Sequence, residues 1–386
     1  MIIFTILIFF LLPSFSFAYQ ALPKIIAAQI SYLDLKNLVQ VDKFFYKLKK
    51  SNINTIIFRV FHNPGDRYHA LLSLENSKKV EGVYFKTSYL PVIDDLLSKI
   101  IPIAKKYHLN FFAWMTTRDA SYGLKDKEKL LDLKYNISLK KMETTKGLNL
   151  FSSKVVNILK GVYRDLASYP IDGILFQDDF VYRYNEGFSN EALSYYTKFS
   201  SKKFSPDEIF KKENPFYGYK PIFYEWCKLK NKRIMQVASF LMESARSVNP
   251  SIKFILNLSY ESVLFPKNSL AWLSEDLKTS LNYGFDYYGI MAYHRQIMNE
   301  LNLNFKEVKK LLSNIMLRST SLISGENRIL IKLQTCDWIK KEKISTKEIN
   351  SIITTITKGF SPSLSFFPIN DSTNLNFLRM FKQKNF

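Results

Sequence analysis

Eight short runs rich in Ile, Leu, Val and Phe recur along this chain between amphipathic helical stretches, and no other feature narrows the fold as far. They are Lys24 to Tyr32, Asn54 to Phe61, Leu109 to Thr116, Asp172 to Asp178, Ile252 to Ser259, Phe285 to Tyr293, Arg328 to Gln334 and Leu364 to Ile369. Helical periodicity occupies about Leu35 to Lys50, Pro91 to Tyr107, Ser152 to Ser168, Pro221 to Val248, Phe305 to Ser319 and Thr346 to Lys358. Near-continuous apolar strands are buried on both faces, and strands separated by helices pair in parallel. Eight such units match an α/β fold of the (β/α)8 TIM-barrel kind with long loops on its C-terminal face. The rival, an open doubly wound sheet, carries a glycine-rich first turn for a nucleotide. Here the first strand leaves through Ser31-Tyr32-Leu33-Asp34. One barrel domain over residues 24–386 is expected.

The first 18 residues carry no charge, and Ser16-Phe17-Ala18 closes the apolar run from Met1 to Leu12 with a small-x-small site. Residues 1–18 therefore read as a signal peptide, giving a secreted or periplasmic protein. An uncleaved N-terminal membrane anchor is the alternative. No cysteine lies near that site, so no lipid anchor is expected. Cys227 and Cys336 are the two cysteines, read as buried thiols. His62 and His69 lack a clear third ligand, so no metal is expected, and no cofactor is implied. The net charge is +21. The lysines are spread over helix faces, as at Lys43, Lys47, Lys49 and Lys50 or Lys306, Lys309 and Lys310, without a zinc-finger or RNA-binding signature. Solvated helix surface rather than a nucleic-acid footprint is the expectation.

Three connections exceed what barrel closure needs: Asn63 to Leu90, Thr117 to Leu150 and Phe180 to Lys220. All follow strands and so fall on the catalytic face. They carry Tyr68, Tyr84, Phe85, Tyr122, Tyr182, Tyr184, Tyr195 and Tyr196, aromatics that either stack sugar rings around a cleft or pack inside the insertions.

The fourth strand, Asp172-Gly173-Ile174-Leu175-Phe176-Gln177-Asp178-Asp179, ends in two adjacent carboxylates. Buried without partners they would be costly, so an open mouth is where they belong. Side chains alternate along a strand. If Gln177 faces the lumen, Asp179 does too, which favours Asp179 over Asp178 as general acid. Neighbouring carboxylates split their pKa values, and one can keep its proton near neutral pH. Around them the strand exits supply Arg59, His62, Trp114, Asp119, Gln177, Asn257, Tyr260, Tyr293, His294 and Asp337 as substrate-binding candidates, with Lys332 and Gln334 also at the seventh exit. Glycoside cleavage normally uses two flanking carboxyl groups. Asp119, Glu261, Asp337 or the substrate's own acetamido group could complete the pair. No Gly-x-Ser-x-Gly elbow is present to pair with His294 as a nucleophile's base.

Asp172-Gly173, three residues, then Gln177 and Asp179 resembles the fourth-strand signature of chitinases, with Leu175 and Gln177 replacing its inner aspartates and Asp179 its final glutamate. Met291-Ala292-Tyr293 is similar to the sixth-strand Met-x-Tyr of that family. Residues 172–179 more closely resemble the DGILF-x-DD strand of the C-terminal glycoside hydrolase domain of PgaB-type poly-β-1,6-N-acetyl-D-glucosamine deacetylases, and Phe112-Ala113-Trp114-Met115 resembles its third strand. That resemblance implies a TIM barrel that hydrolyses partly deacetylated β-1,6-glucosamine polymer in biofilm matrix. The implied partners are a carbohydrate polymer and the exopolysaccharide export machinery. No His-x-x-x-His pair occurs, so no deacetylase domain is expected in this sequence. A non-catalytic polysaccharide-binding barrel that assists export is the alternative.

Overall fold

The computed structural model describes residues 22–63, 70, 81–120, 127–214 and 218–382. The expected signal peptide, together with Asp66, Arg67, Tyr68, His69 and Tyr122, lies outside the described residues. Among the described residues no helix is long and apolar enough to cross a membrane.

The eight apolar runs become the eight strands of a closed barrel. They are β1 (Ile26–Ile30), β2 (Thr55–Arg59), β3 (Asn110–Met115), β4 (Gly173–Phe176), β5 (Lys253–Ser259), β6 (Tyr287–Met291), β7 (Ile329–Gln334) and β8 (Ser363–Phe367). Each pairs in parallel with its sequence neighbours, and β8 closes on β1 through Ile26 opposite Leu364. The six helical stretches become α1 (Leu38–Lys50), α2 (Leu96–Lys106), α3 (Ser153–Ala167), α4 (Pro221–Arg246), α5 (Phe305–Leu322) and α6 (Thr346–Ile356). Their ends are set locally. Asn37 accepts a hydrogen bond from Gln40 N to cap α1, Asn304 and Glu307 form a capping box on α5, and Pro221 occupies the first turn of α4.

Alternation splits the core in two. Ile57, Phe112, Leu175, Ile255, Tyr287 and Leu330 fill the lumen, joined by Ala27. The opposite faces, such as Ile56, Phe58, Ile174 and Phe176, pack against the helices. The lumen is therefore a packed core at mid-height rather than a pore, and the site lies above it.

The connection from β5 to β6 lacks helical periodicity in the sequence, yet it forms three short helices, Glu261–Leu264, Pro266–Leu273 and Leu277–Ser280. Elements of one or two turns are too short to display a stripe. In the long connections, packing inside the insertions wins over display. Tyr84, Phe85, Tyr182 and Tyr196 are wholly buried, while Tyr184 and Tyr195 are half-buried. Cys227 is buried and Cys336 half-buried, both as free thiols.

Candidate active site

The two ends of the Asp172–Asp179 stretch do different things. At the bottom, Asp172 accepts from Lys105 Nζ at 2.7 and 2.6 Å and from Phe111 N at 2.6 Å, tying α2 to β3 and β4. Gly173 follows because the Phe112 ring occupies the space its side chain would need. At the top, Gln177 N still donates to Met115 O at 3.1 Å. The chain then turns, with Phe180 N donating to Gln177 O at 3.2 Å and Val181 N to Asp179 O at 2.8 Å.

That turn ends the strand alternation before it reaches Asp179. Parity alone predicts a lumen-facing Asp179; instead its carboxylate is drawn sideways to the exit of β3. Oδ2 accepts from Thr116 Oγ1 at 2.8 Å, Thr117 N at 2.9 Å and Asp119 N at 2.7 Å. Shielding from water, reinforced by the Asp119 carboxylate, raises the Asp179 pKa against the pull of these donors. Asp178 is exposed at the mouth, and its charge is felt by Lys332, Tyr293, Glu275 and Asp119. Asp119 and Asp179 also line a cavity of about 280 Å³, shared with Lys134, Arg183 and Asn185.

Behind this cavity lies a buried charge cluster. Arg118 pairs with Glu186 through Nη1, which also donates to Val181 O at 3.0 Å. Its Nη2 lies 3.6 Å from Asp132 Oδ2, and its guanidinium sits 4.1 Å from the centre of the Tyr182 ring. Burial works against Glu186, yet the Arg118 guanidinium holds its carboxyl below the usual range. Asp132, deeper still, is pushed up to about 6 by burial. The cluster pins the antiparallel strands Leu131–Asn136 and Lys141–Leu148 to the barrel. Arg118 stands between Thr117 and Asp119, the two residues whose amides grip Asp179, so the cluster also fixes that grip.

Across the mouth stands an aromatic wall. The Trp114 and Phe367 rings meet edge to face at 5.5 Å, as do Tyr293 and Trp338 at 5.1 Å, with Phe61 at 6.2 Å from Trp114. Arg59 is half-buried, its guanidinium 4.3 Å from the centre of the Phe61 ring. Below, Lys332 Nζ donates to Asn257 Oδ1 at 2.8 Å. The buried atoms Gln29 Oε1, Ser365 Oγ, Trp114 Nε1 and Gln177 Oε1 have no hydrogen-bond partner among the described residues.

Not every candidate gathers here. His62 is buried with Nδ1 3.4 Å from Tyr84 OH. Tyr260 belongs to the outer core, and its hydroxyl donates to Glu300 at 3.0 Å. His294 is buried against the helical layer, Nε2 2.9 Å from Glu348 Oε1. Asp337 accepts from Ile339 N and Lys340 N at 3.0 and 3.1 Å and faces Arg295. Each was expected at the mouth because it follows a strand. Each is held by the contacts just named instead. Among the described residues no three His, Cys, Asp or Glu side chains converge as a metal site needs.

The sequence matches the model of a glycosyl hydrolase family over residues 37–367, from the α1 cap to the last residue of β8. The chain belongs to Hypothetical glycosyl hydrolase family 13, GHL13. No curated protein matches it in sequence. Among solved structures, the PgaB (BpsB) glycoside hydrolase domain from Bordetella bronchiseptica superposes with a TM-score of 0.70 at 20% identity, covering 90% of this chain and 94% of that one. The β-galactosidase of the psychrophilic Marinomonas ef1 gives 0.56 at 11% identity, over 89% of this chain and 54% of that one. The β-galactosidase of the Antarctic haloarchaeon Halorubrum lacusprofundi gives 0.57 at 8%, over 89% and 52%. These likenesses place the fold among TIM-barrel glycoside hydrolases.

The GHL13 barrel also uses residues that strand-exit reasoning passes over. Gln29 and Ser365 sit in β1 and β8 and were findable by parity. Phe367, the last residue of β8, and Trp338, which follows β7, join the aromatic wall. Arg118 follows the third strand and Glu186 is one of the acids near the mouth, but Asp132 carries no sequence signal, and the three meet only when the insertions fold back. The same holds for Glu275, whose Oε2 accepts from Ser259 N at 3.2 Å, Ser259 Oγ at 2.6 Å and Ser269 Oγ at 2.9 Å.

Proposed function

We propose that this GHL13 barrel is an exported, endo-acting glycoside hydrolase that cleaves partly deacetylated poly-β-1,6-N-acetylglucosamine, or a related amino-sugar polymer, by carboxylate acid catalysis. The observation that carries this reading is the asymmetric pair at the β4 exit. Asp179 has Oδ2 gripped by three donors and a raised pKa; Oδ1, approached by Thr117 N at 3.3 Å, is the oxygen that holds a proton for the glycosidic oxygen. Asp178, exposed at the mouth, supplies the negative charge that steadies an oxocarbenium-like ring. When the bond breaks, the proton on Asp179 passes to the departing sugar oxygen; water then adds to the anomeric carbon and gives a proton back to the Asp179 carboxylate. The aromatic wall of Trp114, Phe367, Tyr293 and Trp338 supplies planes for sugar rings. The uncharged segment at residues 1–18 supports export, with the export machinery as a partner.

One observation favours a second reading. An oxygen held by three donors is also how a structural carboxylate looks, which suits a barrel that binds polymer without turning it over. Incubation with acetylated and deacetylated β-1,6-glucosamine oligomers, followed by mass spectrometry, separates the two. Asp179→Asn and Asp178→Asn should each slow cleavage by about 10²–10⁴-fold with unchanged circular dichroism. Full activity in both variants would sink the carboxylate mechanism; binding without any product by the wild type would establish the second reading.

A further inference from the structure

Two hairpins on the C-terminal face have the same make-up at their tips. The first joins Leu131–Asn136 to Lys141–Leu148, in the connection that leaves β3. The second joins Cys336–Asp337 to Glu342–Lys343, in the connection that leaves β7. In the first tip Ile137, Leu139 and Met142 are 39, 60 and 43% exposed, and in the second Ile339 is 60% exposed. Both tips are also basic. Residues 137–146 hold Lys140, Lys141 and Lys146 against Glu143, and residues 338–343 hold Lys340, Lys341 and Lys343 against Glu342. Lys140 and Lys341 have φ of +48° and +57°, a backbone state that favours glycine or asparagine. The fold itself gives no reason for lysine in that state at either tip. Neither hairpin is slack. The buried Arg118 cluster pins the base of the first, and Asp337 holds the second through Ile339 N and Lys340 N.

In the closed barrel β3 and β7 are four strands apart, so the two hairpins leave from opposite sides of the mouth. Single exposed aliphatic side chains are ordinary on a protein surface. A matched pair of basic, apolar tips on either side of an opening is not. A stable protein interface needs about 1,000 Å² of complementary surface, and two separate tips with a cleft between them do not offer it. A fluid bilayer accepts separate protrusions, taking apolar side chains at its acyl boundary while lysines meet lipid phosphates. The net charge of +21 draws the chain toward such a surface. We propose that the two tips dock the barrel reversibly on an anionic phospholipid surface. Leu139, Met142 and Ile339 enter the acyl boundary, and Lys140, Lys340 and Lys341 meet the headgroup phosphates. Asp119 and Asp178, exposed at the mouth, repel the same phosphates, which confines contact to the tips.

The test is co-sedimentation of the full chain with phosphatidylcholine vesicles and with vesicles of phosphatidylcholine and phosphatidylglycerol in equal parts. Residues 1–18 carry no charge, so their own affinity for lipid is common to both vesicles and to every variant. The anionic vesicles should bind at least about tenfold tighter. Lys140→Gln with Lys341→Gln should weaken that binding by at least about tenfold, and Leu139→Ser with Ile339→Ser by a similar factor. Lys306→Gln with Lys310→Gln makes the same charge change on the exposed face of α5 and should weaken it less than about threefold. Equal binding to the two vesicles overturns the inference, as does an equal loss in the α5 variant, which would assign the effect to net charge alone. A loss in the tip-lysine variant with none in the serine variant also overturns it, and identifies a hydrated polyanion as the partner in place of a bilayer.

Discussion

Asp179 and Glu275 show how single acids are tuned here. Both have an oxygen held by three donors, and both are raised, because loss of water outweighs the hydrogen bonds. Glu275 is the cleaner case, since its hydrogen-bond partners are serines and burial outweighs the more distant Asp178 charge. Burial lifts it from the usual 4.5 to about 7. A carboxyl raised in the folded state favours folding only while protonated, so stability is lost as pH climbs from about 4.5 through about 7. Glu275→Gln keeps an oxygen for Ser259 and Ser269 and removes the charge. It should match the wild type at a pH of about 4.5 and exceed it near pH 8 by on the order of 3 kcal/mol. Melting curves at the two pH values check this, and a variant no more stable at the higher pH would contradict it.

At the scale of elements, β4 was the easiest strand to recognise and the hardest to continue. Its apolar run, its glycine and its two terminal acids were legible, and the boundaries differ from expectation by two residues at its C-terminal end. The direction of Asp179 was not legible, because alternation is a property of the ladder and the ladder stops before the acids. Gly173 shows the reverse, a residue whose motif role is steric. A Cβ there would lie 2.1 and 2.4 Å from Phe112 ring atoms and 2.7 Å from Lys253 O. The lumen cannot relax around a backbone oxygen, so Gly173→Ala should destabilise the barrel by roughly 3 kcal/mol. Urea unfolding measures it; a cost below about 1 kcal/mol would mean the strand shifts freely.

For the whole molecule, charge and substrate pull in opposite directions. The chain carries +21, and a deacetylated glucosamine polymer is cationic, so encounter is opposed at long range. Salt shortens the reach of that repulsion, from a Debye length of about 30 Å at 0.01 M to about 8 Å at 0.15 M. On the proposed substrate, kcat/KM for deacetylated polymer should therefore rise several-fold over that range, while the value for acetylated polymer changes little. A fall with salt would show instead that the acids at the mouth govern encounter. The acetylated polymer controls for salt effects on the protein itself.

The order of eight strands and six helices, the barrel they close into and the exit where two carboxylates stand were written in the sequence by itself. Periodicity and apolar runs are local signals, and a parallel barrel repeats one local unit. The tertiary structure alone decided which strand-exit residues meet. It turned Asp179 toward the β3 exit, removed Tyr260, His294 and Asp337 into other contacts, and set Lys332 beneath the mouth with Asn257. It also brought Arg118 and Asp132 of one long connection together with Glu186 of another. Such contacts depend on where loops fold back after the last ladder bond. That choice is made by packing and burial across the whole chain, not by any pattern along it.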